Sequence, residues 1–327
     1  MIGMSFWKSL PFVLKLAISI GLLVWLFQET DVSSLASYVN GLTIATVVMI
    51  AIVAASASVV LGYRWNIILG YMGASLPLVA AAKNVVIGFF FNQFLPSTVG
   101  GDVARIWLAK RRGLPIFLAA NSIVSDRIFG FLGLVLLCGL GLPFLAITIS
   151  NQTMIVGEVL LIMGAVGGFF ALIALQFIPV RWKSWPLLRW AVGISDASAG
   201  VILKSGKGLH VLGISLVLHG VDVLMIFVIA AACGINLDLT LCFMLIPPAL
   251  LISAVPISIA GWGMREGAIV FALGTTGVAV GDAITLSLFF GLAQALAGLI
   301  GGIVWVLSPN EKIDFEQAEK QLNPAID

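Results

Sequence analysis

Two short motifs hold most of the residues in this chain that could do chemistry. The first reads Phe94-Leu95-Pro96-Ser97-Thr98-Val99-Gly100-Gly101-Asp102-Val103-Ala104-Arg105. It sets hydroxyls, a glycine pair, an acid and a guanidinium inside apolar sequence. Pro followed by two glycines breaks a helix, and Ser97 or Thr98 suits the cap of the half-helix that restarts. Gly100 and Gly101 let backbone N–H groups approach an oxygen, and the helix start adds partial positive charge. Arg105 offers a planar fork that fits the oxygen pair of a phosphate or carboxylate. This is anion-binding chemistry. Asp102 and Arg105 also share a face at i,i+3, so a second reading stands beside it: the two charges neutralise each other for burial.

The second motif reads Val255-Pro256-Ile257-Ser258-Ile259-Ala260-Gly261-Trp262-Gly263-Met264-Arg265-Glu266. Laid under the first, Pro96 meets Pro256, Thr98 meets Ser258, Gly101 meets Gly261 and Arg105 meets Arg265, at one offset (256 − 96 = 160). Four matches in one register beside matched breaks are a repeat signal. Here too the charge has a neighbour, Glu266. The functional reading is that the two breaks meet near the membrane midplane and form a polar headgroup site, to which Asn92 and Gly263 also contribute.

Other polar residues stand out by being misplaced. Asp126 and Arg127 lie together near the start of an apolar run, as a structural ion pair, a snorkelling arginine or a substrate contact. His219 and Asp222 share a helix face at i,i+3, with Asp222 a candidate counter-charge for Arg105, Arg127 or Arg265, or a proton carrier with His219. Ser215 and His219 at i,i+4 make a poor hydrolase signal, because no third group completes them. Cys138, Cys233 and Cys242 have no paired spacing and read as packing thiols. No metal or cofactor site is expected.

The elements that position these residues follow from composition. Hydrophobic residues make up 61% of 327 and charged ones 10%, with mean hydropathy +1.14. Soluble domains carry about 25% charged residues, so a soluble core is excluded, and nothing suggests nucleic acid as a partner. Six runs of about 18 or more apolar residues mark spanning helices, at 10–27, 42–63, 123–147, 154–178, 209–232 and 283–306. The first has no cleavage signature and reads as an uncleaved span. Fourteen of the 17 basic residues fall on one side of this layout, leaving Arg105, Arg127 and Arg265 within apolar segments. The positive-inside rule then puts both termini in the cytoplasm.

Two apolar regions, 78–112 and 241–276, are split by the motifs. Lys83 and the cluster Lys110-Arg111-Arg112 fall on the same side with too few residues between them for two spans. The first region must therefore dip in and return as a re-entrant hairpin. The second reads either as a matching hairpin or as two short spans. The expected fold is an all-α polytopic membrane protein, with about six spanning helices and two re-entrant hairpins in an inverted repeat. A single domain covers 1–309, with repeats at 42–147 and 209–306 and a polar tail at 310–327. The loop 179–208, with Trp182, Trp185 and Trp190 among basic residues, reads as an interfacial helix.

The two motifs, with Phe91-Asn92-Gln93 before the first and Asp126-Arg127-Ile128-Phe129-Gly130 between them, resemble the flippase-like transmembrane region of lysylphosphatidylglycerol synthases, a family that includes the multiple peptide resistance proteins. The resemblance covers roughly 10–306 and implies movement of polar-headgroup lipids between leaflets of the inner membrane. The aminoacyl-transferase domain of the full synthases has no counterpart here, so lipid synthesis is not implied. The leading expectation is a non-enzymatic carrier of a phospholipid or polyprenyl-type lipid. Two other readings compete: a non-transporting partner subunit of a synthase or glycosyltransferase, and an intramembrane lipid-phosphate transferase.

Overall fold

The computed structural model describes residues 17, 20–22, 24, 43–94, 100–149, 151–178, 185–203, 206–254 and 261–308. They form α1 (Ile44–Tyr71), α2 (Leu78–Phe94), α3 (Gly100–Arg111), α4 (Ile116–Thr148), α5 (Gln152–Ala174), α6 (Pro186–Leu203), α7 (Gly208–Ala232), α8 (Leu239–Ser253), α9 (Met264–Gly274) and α10 (Val280–Val306), with a 3-10 turn at Leu175–Phe177. No strand occurs among the described residues.

Among the described residues five helices are long and apolar enough to cross a membrane: α1, α4, α5 with its 3-10 turn, α7 and α10. They match five of the six apolar runs. The sixth, 10–27, lies almost wholly outside the described residues, as do the motif breaks with Pro96, Ser97, Thr98, Pro256 and Ser258, and the tail 310–327. Two helices extend past their runs. α1 continues through Arg64 to Tyr71, and α4 begins at Ile116 rather than 123. An apolar run stops at the first charge, but a helix continues wherever the charge finds a buried partner.

The split regions are pairs of short helices. At 1.5 Å per residue, α2 and α3, with 17 and 12 residues, are about 25 and 18 Å long. Likewise α8 and α9, with 15 and 11 residues, reach about 22 and 17 Å. Each falls short of the roughly 30 Å hydrocarbon layer.

The chain thus runs long–short–short–long twice, in α1–α4 and in α7–α10, matching the repeat read from the two motifs. The two units interlock. Within its own unit, α2 packs against α1 and α8 against α7, while α2 also packs against α10 and α8 against α4. Each first short helix is therefore clamped by the last long helix of the other unit. Small residues permit this closeness. A Cβ at Gly301 of α10 would collide with the Val86 carbonyl of α2, and one at Gly62 of α1 would lie 2.7 Å from Ala82 N.

Two peripheral helices complete the body. Only Met154 and Glu158 of α5 are buried, while Val156, Leu160, Met163 and Phe170 are exposed as a lipid-facing surface would be. α6 differs from the surface helix expected of 179–208. Trp185 just before it and its Arg189 and Trp190 are exposed, but Val192, Ile194, Ala197 and Val201 are buried. Ser198 Oγ donates to Ser125 Oγ of α4 at 3.2 Å. The expectation rested on the basic, aromatic start of the segment and overlooked its small-residue continuation, Ser195-Asp196-Ala197-Ser198-Ala199-Gly200, which packs against α4.

Candidate functional site

The charges of α3 and α4 cross-pair. Asp102 and Arg105 are i,i+3 on α3 and point together at α4, where Asp126-Arg127 offers both opposite charges. The Arg127 Nε–H donates to Asp102 Oδ2, and Arg105 Nη2 donates to Asp126 Oδ2 at 3.2 Å. This corrects the reading in which Asp102 and Arg105 neutralise each other: each takes its partner across the helix interface.

Asp126, 1% exposed, also holds a third helix. It accepts from Arg64 Nε of α1 at 2.8 Å, and its main-chain carbonyl accepts from Arg64 Nη2 at 3.1 Å. Arg64 Nη1 donates to Ser215 Oγ of α7 at 2.8 Å. Ser215 is thus a buried partner of a guanidinium. Arg64 follows the apolar run 42–63 and reads from the sequence as one of the one-sided loop charges, yet it is buried between α1, α4 and α7. The hint in the sequence was the apolar run Trp65-Asn66-Ile67-Ile68-Leu69 beyond it.

Arg105 is held from several sides. Its guanidinium lies 4.6 Å from the Trp65 ring centroid, a cation–π contact. The Trp65 ring is itself fixed by donation to Ser122 Oγ at 2.9 Å. The Arg105 stem crosses Gly88 of α2 so closely that a Cβ there would lie 3.0 Å from Arg105 Cγ. Asn92 Oδ1 accepts from Gly101 N at 3.0 Å and ties α2 to the start of α3. Gly100 and Gly101 are buried. Arg105 is 7% exposed, yet its Nε has no hydrogen-bond partner among the described residues.

These side chains line a cavity of about 650 Å³, with Asn92, Asp102, Arg105, Asp126, Arg127, Arg64 and His219 on one wall. α5 also lines it, through Gly164, Ala165, Gly168, Phe169 and Leu172. Three guanidiniums face two carboxylates, an excess of one positive charge (3 − 2 = 1). A second lobe of about 300 Å³ shares Arg64, Asn92 and His219 and adds Gln93, Asp222 and Gln294. His219 Nε2 meets the Gly130 carbonyl at 3.0 Å, and Nδ1 meets Asp222 Oδ2 at 3.2 Å. His219 thus bridges the Gly130 carbonyl of α4 and the Asp222 carboxylate one turn along its own helix. Among the described residues Asp222 pairs with His219, while Arg105, Arg127 and Arg265 pair with Asp126, Asp102 and Glu266.

The second motif is organised differently. Gly261 and Gly263 form the turn before α9 with φ of 80° and 86°, a conformation that side chains disfavour. Glu266 Oε2 accepts from Gly263 N at 2.5 Å. Its Oε1 accepts from Arg265 Nη2 at 2.6 Å and from Ser287 Oγ at 3.2 Å. The Arg265 guanidinium lies 4.8 Å from the Trp262 ring centroid. Among the described residues, Ala254 alone brings the second motif's neighbourhood to the large cavity, and Gly261, Gly263, Arg265 and Glu266 do not line it. The structure thus gathers Asn92, Asp102, Arg105, Asp126 and Arg127 in one cavity and holds Arg265 with Glu266 elsewhere. Ser97, Thr98 and Ser258 lie outside the described residues.

The family model described as the lysylphosphatidylglycerol synthase TM region matches residues 12–302. No curated protein and no solved structure matches the chain.

Proposed function

The chain belongs to the lysylphosphatidylglycerol synthase TM region family of membrane proteins, and from that premise we propose that it is a carrier that moves a polar-headgroup lipid between leaflets. The observation that carries this reading is the Arg105 Nε–H: a buried donor without a partner among the described residues, in a cavity lined by three guanidiniums and by the apolar face of α5. A buried guanidinium donor without an acceptor is costly, and an anionic headgroup oxygen removes that cost. The single excess positive charge matches one phosphodiester. The α5 wall suits the lipid's apolar part, and Gly164 and Gly168 on it have no atom of another element within 4 Å of a built Cβ.

In this reading Arg105 binds the phosphate, Arg127 and Arg64 add positive field, and Asp102 and Asp126 orient the arginines. His219 with Asp222 adds a polar pair beside the headgroup. We read the chain as a carrier and not an enzyme, because both carboxylates beside Arg105 are engaged by guanidiniums. The placement is multi-pass in the inner membrane with both termini cytoplasmic, as the one-sided basic residues support. Arg105→Ala protein that inserts normally is expected to lose headgroup exposure in a leaflet assay with reconstituted vesicles, and Arg105→Lys to restore only part of it. Full exposure by Arg105→Ala overturns the site.

A further inference from the structure

One buried acid outside the cavity has no cation beside it among the described residues, unlike Glu266 with Arg265. Glu158 of α5 is 5% exposed, on a helix where only it and Met154 are buried. Neither carboxyl oxygen has a hydrogen-bond partner among the described residues. A carboxylate without donors, inside a membrane-spanning helix, is held at high cost, and the neutral acid avoids that cost.

Its position gives it a use. Leu161, Ile162 and Ala165 follow on the same face at i+3, i+4 and i+7 and pack with Leu134, Val135 and Cys138 of α4 and Leu251 of α8. Leu134 and Ala165 also line the large cavity. An apolar seam about 10 Å deep along α5 therefore separates Glu158 from the proposed headgroup site. In the other direction α5 begins at Gln152 behind the exposed cap Asn151, about 9 Å away. Glu158 stands between the cavity and one end of the molecule, closed off by the seam.

The described groups around it leave its charge uncompensated. The Cys138 thiol is the titratable group of α4 that meets it electrostatically, while Asp126 and Arg127 are bound at the cavity. From α8 the same cluster presents Leu250 and Leu251. α6 meets the far end of α5, where Ser195 Oγ donates to the Ile173 carbonyl, and its Arg189 and Asp196 are exposed. Near the start of α5, Thr275 donates to Met154 Sδ at 3.4 Å.

We propose that Glu158 is a proton-binding site, loaded while the α4–α5–α8 seam is closed and released when the seam opens to water, so that a proton is the coupling ion. The step is a reversible ionisation, carboxylic acid to carboxylate plus proton. A proton bound more tightly in one state than in the other shifts the balance between them, which is what coupling requires. The coupling rests on the reading of the chain as a carrier, whereas the proton site does not.

Two measurements separate these. In infrared difference spectra of the purified protein in lipid vesicles, a protonated-carboxyl band is expected that titrates away as the pH is raised and is missing in Glu158→Gln. Gln has nearly the shape of the neutral acid, so the variant is expected to fold. A band that is unchanged in Glu158→Gln, or no such band in the wild type, overturns the site. With fluorescently labelled phosphatidylglycerol as probe, a pH gradient is expected to speed wild-type leaflet exchange several-fold, while Glu158→Gln runs at the no-gradient rate throughout. An unchanged gradient response in Glu158→Gln overturns the coupling. Wild-type protein that moves no labelled lipid overturns the carrier reading and the coupling with it, while a Glu158-dependent band in the same preparation upholds the proton site.

Discussion

Asp126→Asn tests the centre of the charged wall. The carboxylate is 1% exposed and lies between Arg64 at 4% and Arg105 at 7%, at 2.8 and 3.2 Å. Asn keeps the volume and one acceptor, so the change is mainly electrostatic: two buried guanidiniums lose their shared anion. Removing one partner of a buried pair costs about 3–5 kcal/mol, and at about 2–4 °C per kcal/mol for a chain of a few hundred residues the melting temperature falls by roughly 10 °C. Cys138 and Cys242 are 1% and 0% exposed, so a thiol-reactive dye reports unfolding directly. The cavity excess rises from one positive charge to two, so added phosphatidylglycerol should raise the melting temperature more in the variant than in the wild type. A shift within about 2 °C, as an exposed ion pair worth under 1 kcal/mol gives, refutes the reasoning.

Arg265→Ala is expected to destabilise by about 3–5 kcal/mol, because it leaves the fully buried Glu266 without its cation. The surviving protein should bind phosphatidylglycerol with wild-type affinity in a lipid-titration melt, which Arg105→Ala does not. Asp238 caps α8 by accepting from Thr240 N at 2.7 Å and Leu241 N at 3.2 Å. The Thr240 side-chain and backbone hydrogen bonds, with that from Leu241, hold its carboxyl below the ordinary value of 3.8. A lowered folded value means stability present above 3.8 and lost as pH falls through the lower one. Asp238→Ala should thus melt below the wild type at neutral pH, and the two curves should converge in acid.

Much of this was legible because its signals are local. Apolar runs mark spanning helices whatever they pack against, and Pro and Gly mark breaks, so five long helices and two split regions followed from the residues alone. Partners were not legible. The i,i+3 spacing of Asp102 and Arg105 speaks for both a mutual pair and two separate ones, and only the α3–α4 contact decides between them. Arg64 was hidden for the same reason: a charge at the end of an apolar run looks like a loop until Asp126, 62 residues on, proves to be its partner. Glu158 sits singly in an apolar helix, and its lack of a donor is a property of three helices together.

The two units share their order of helices but not their electrostatics. In the second, Arg265 and Glu266 are sequence neighbours, and their pair stays intact however α9 moves as a body. In the first, the ion pairs at the cavity cross helices: Arg64 of α1 and Arg105 of α3 to Asp126 of α4, and Arg127 of α4 back to Asp102 of α3. Moving α3 against α4 must break two of these and strand buried charges, a barrier of several kcal/mol. A headgroup phosphate at Arg105 supplies the anion that Asp126 would withdraw, and so lowers that barrier only when lipid is bound. Under the proposed function, the cross-paired unit is the one that responds to substrate, while the self-paired unit holds its shape against it.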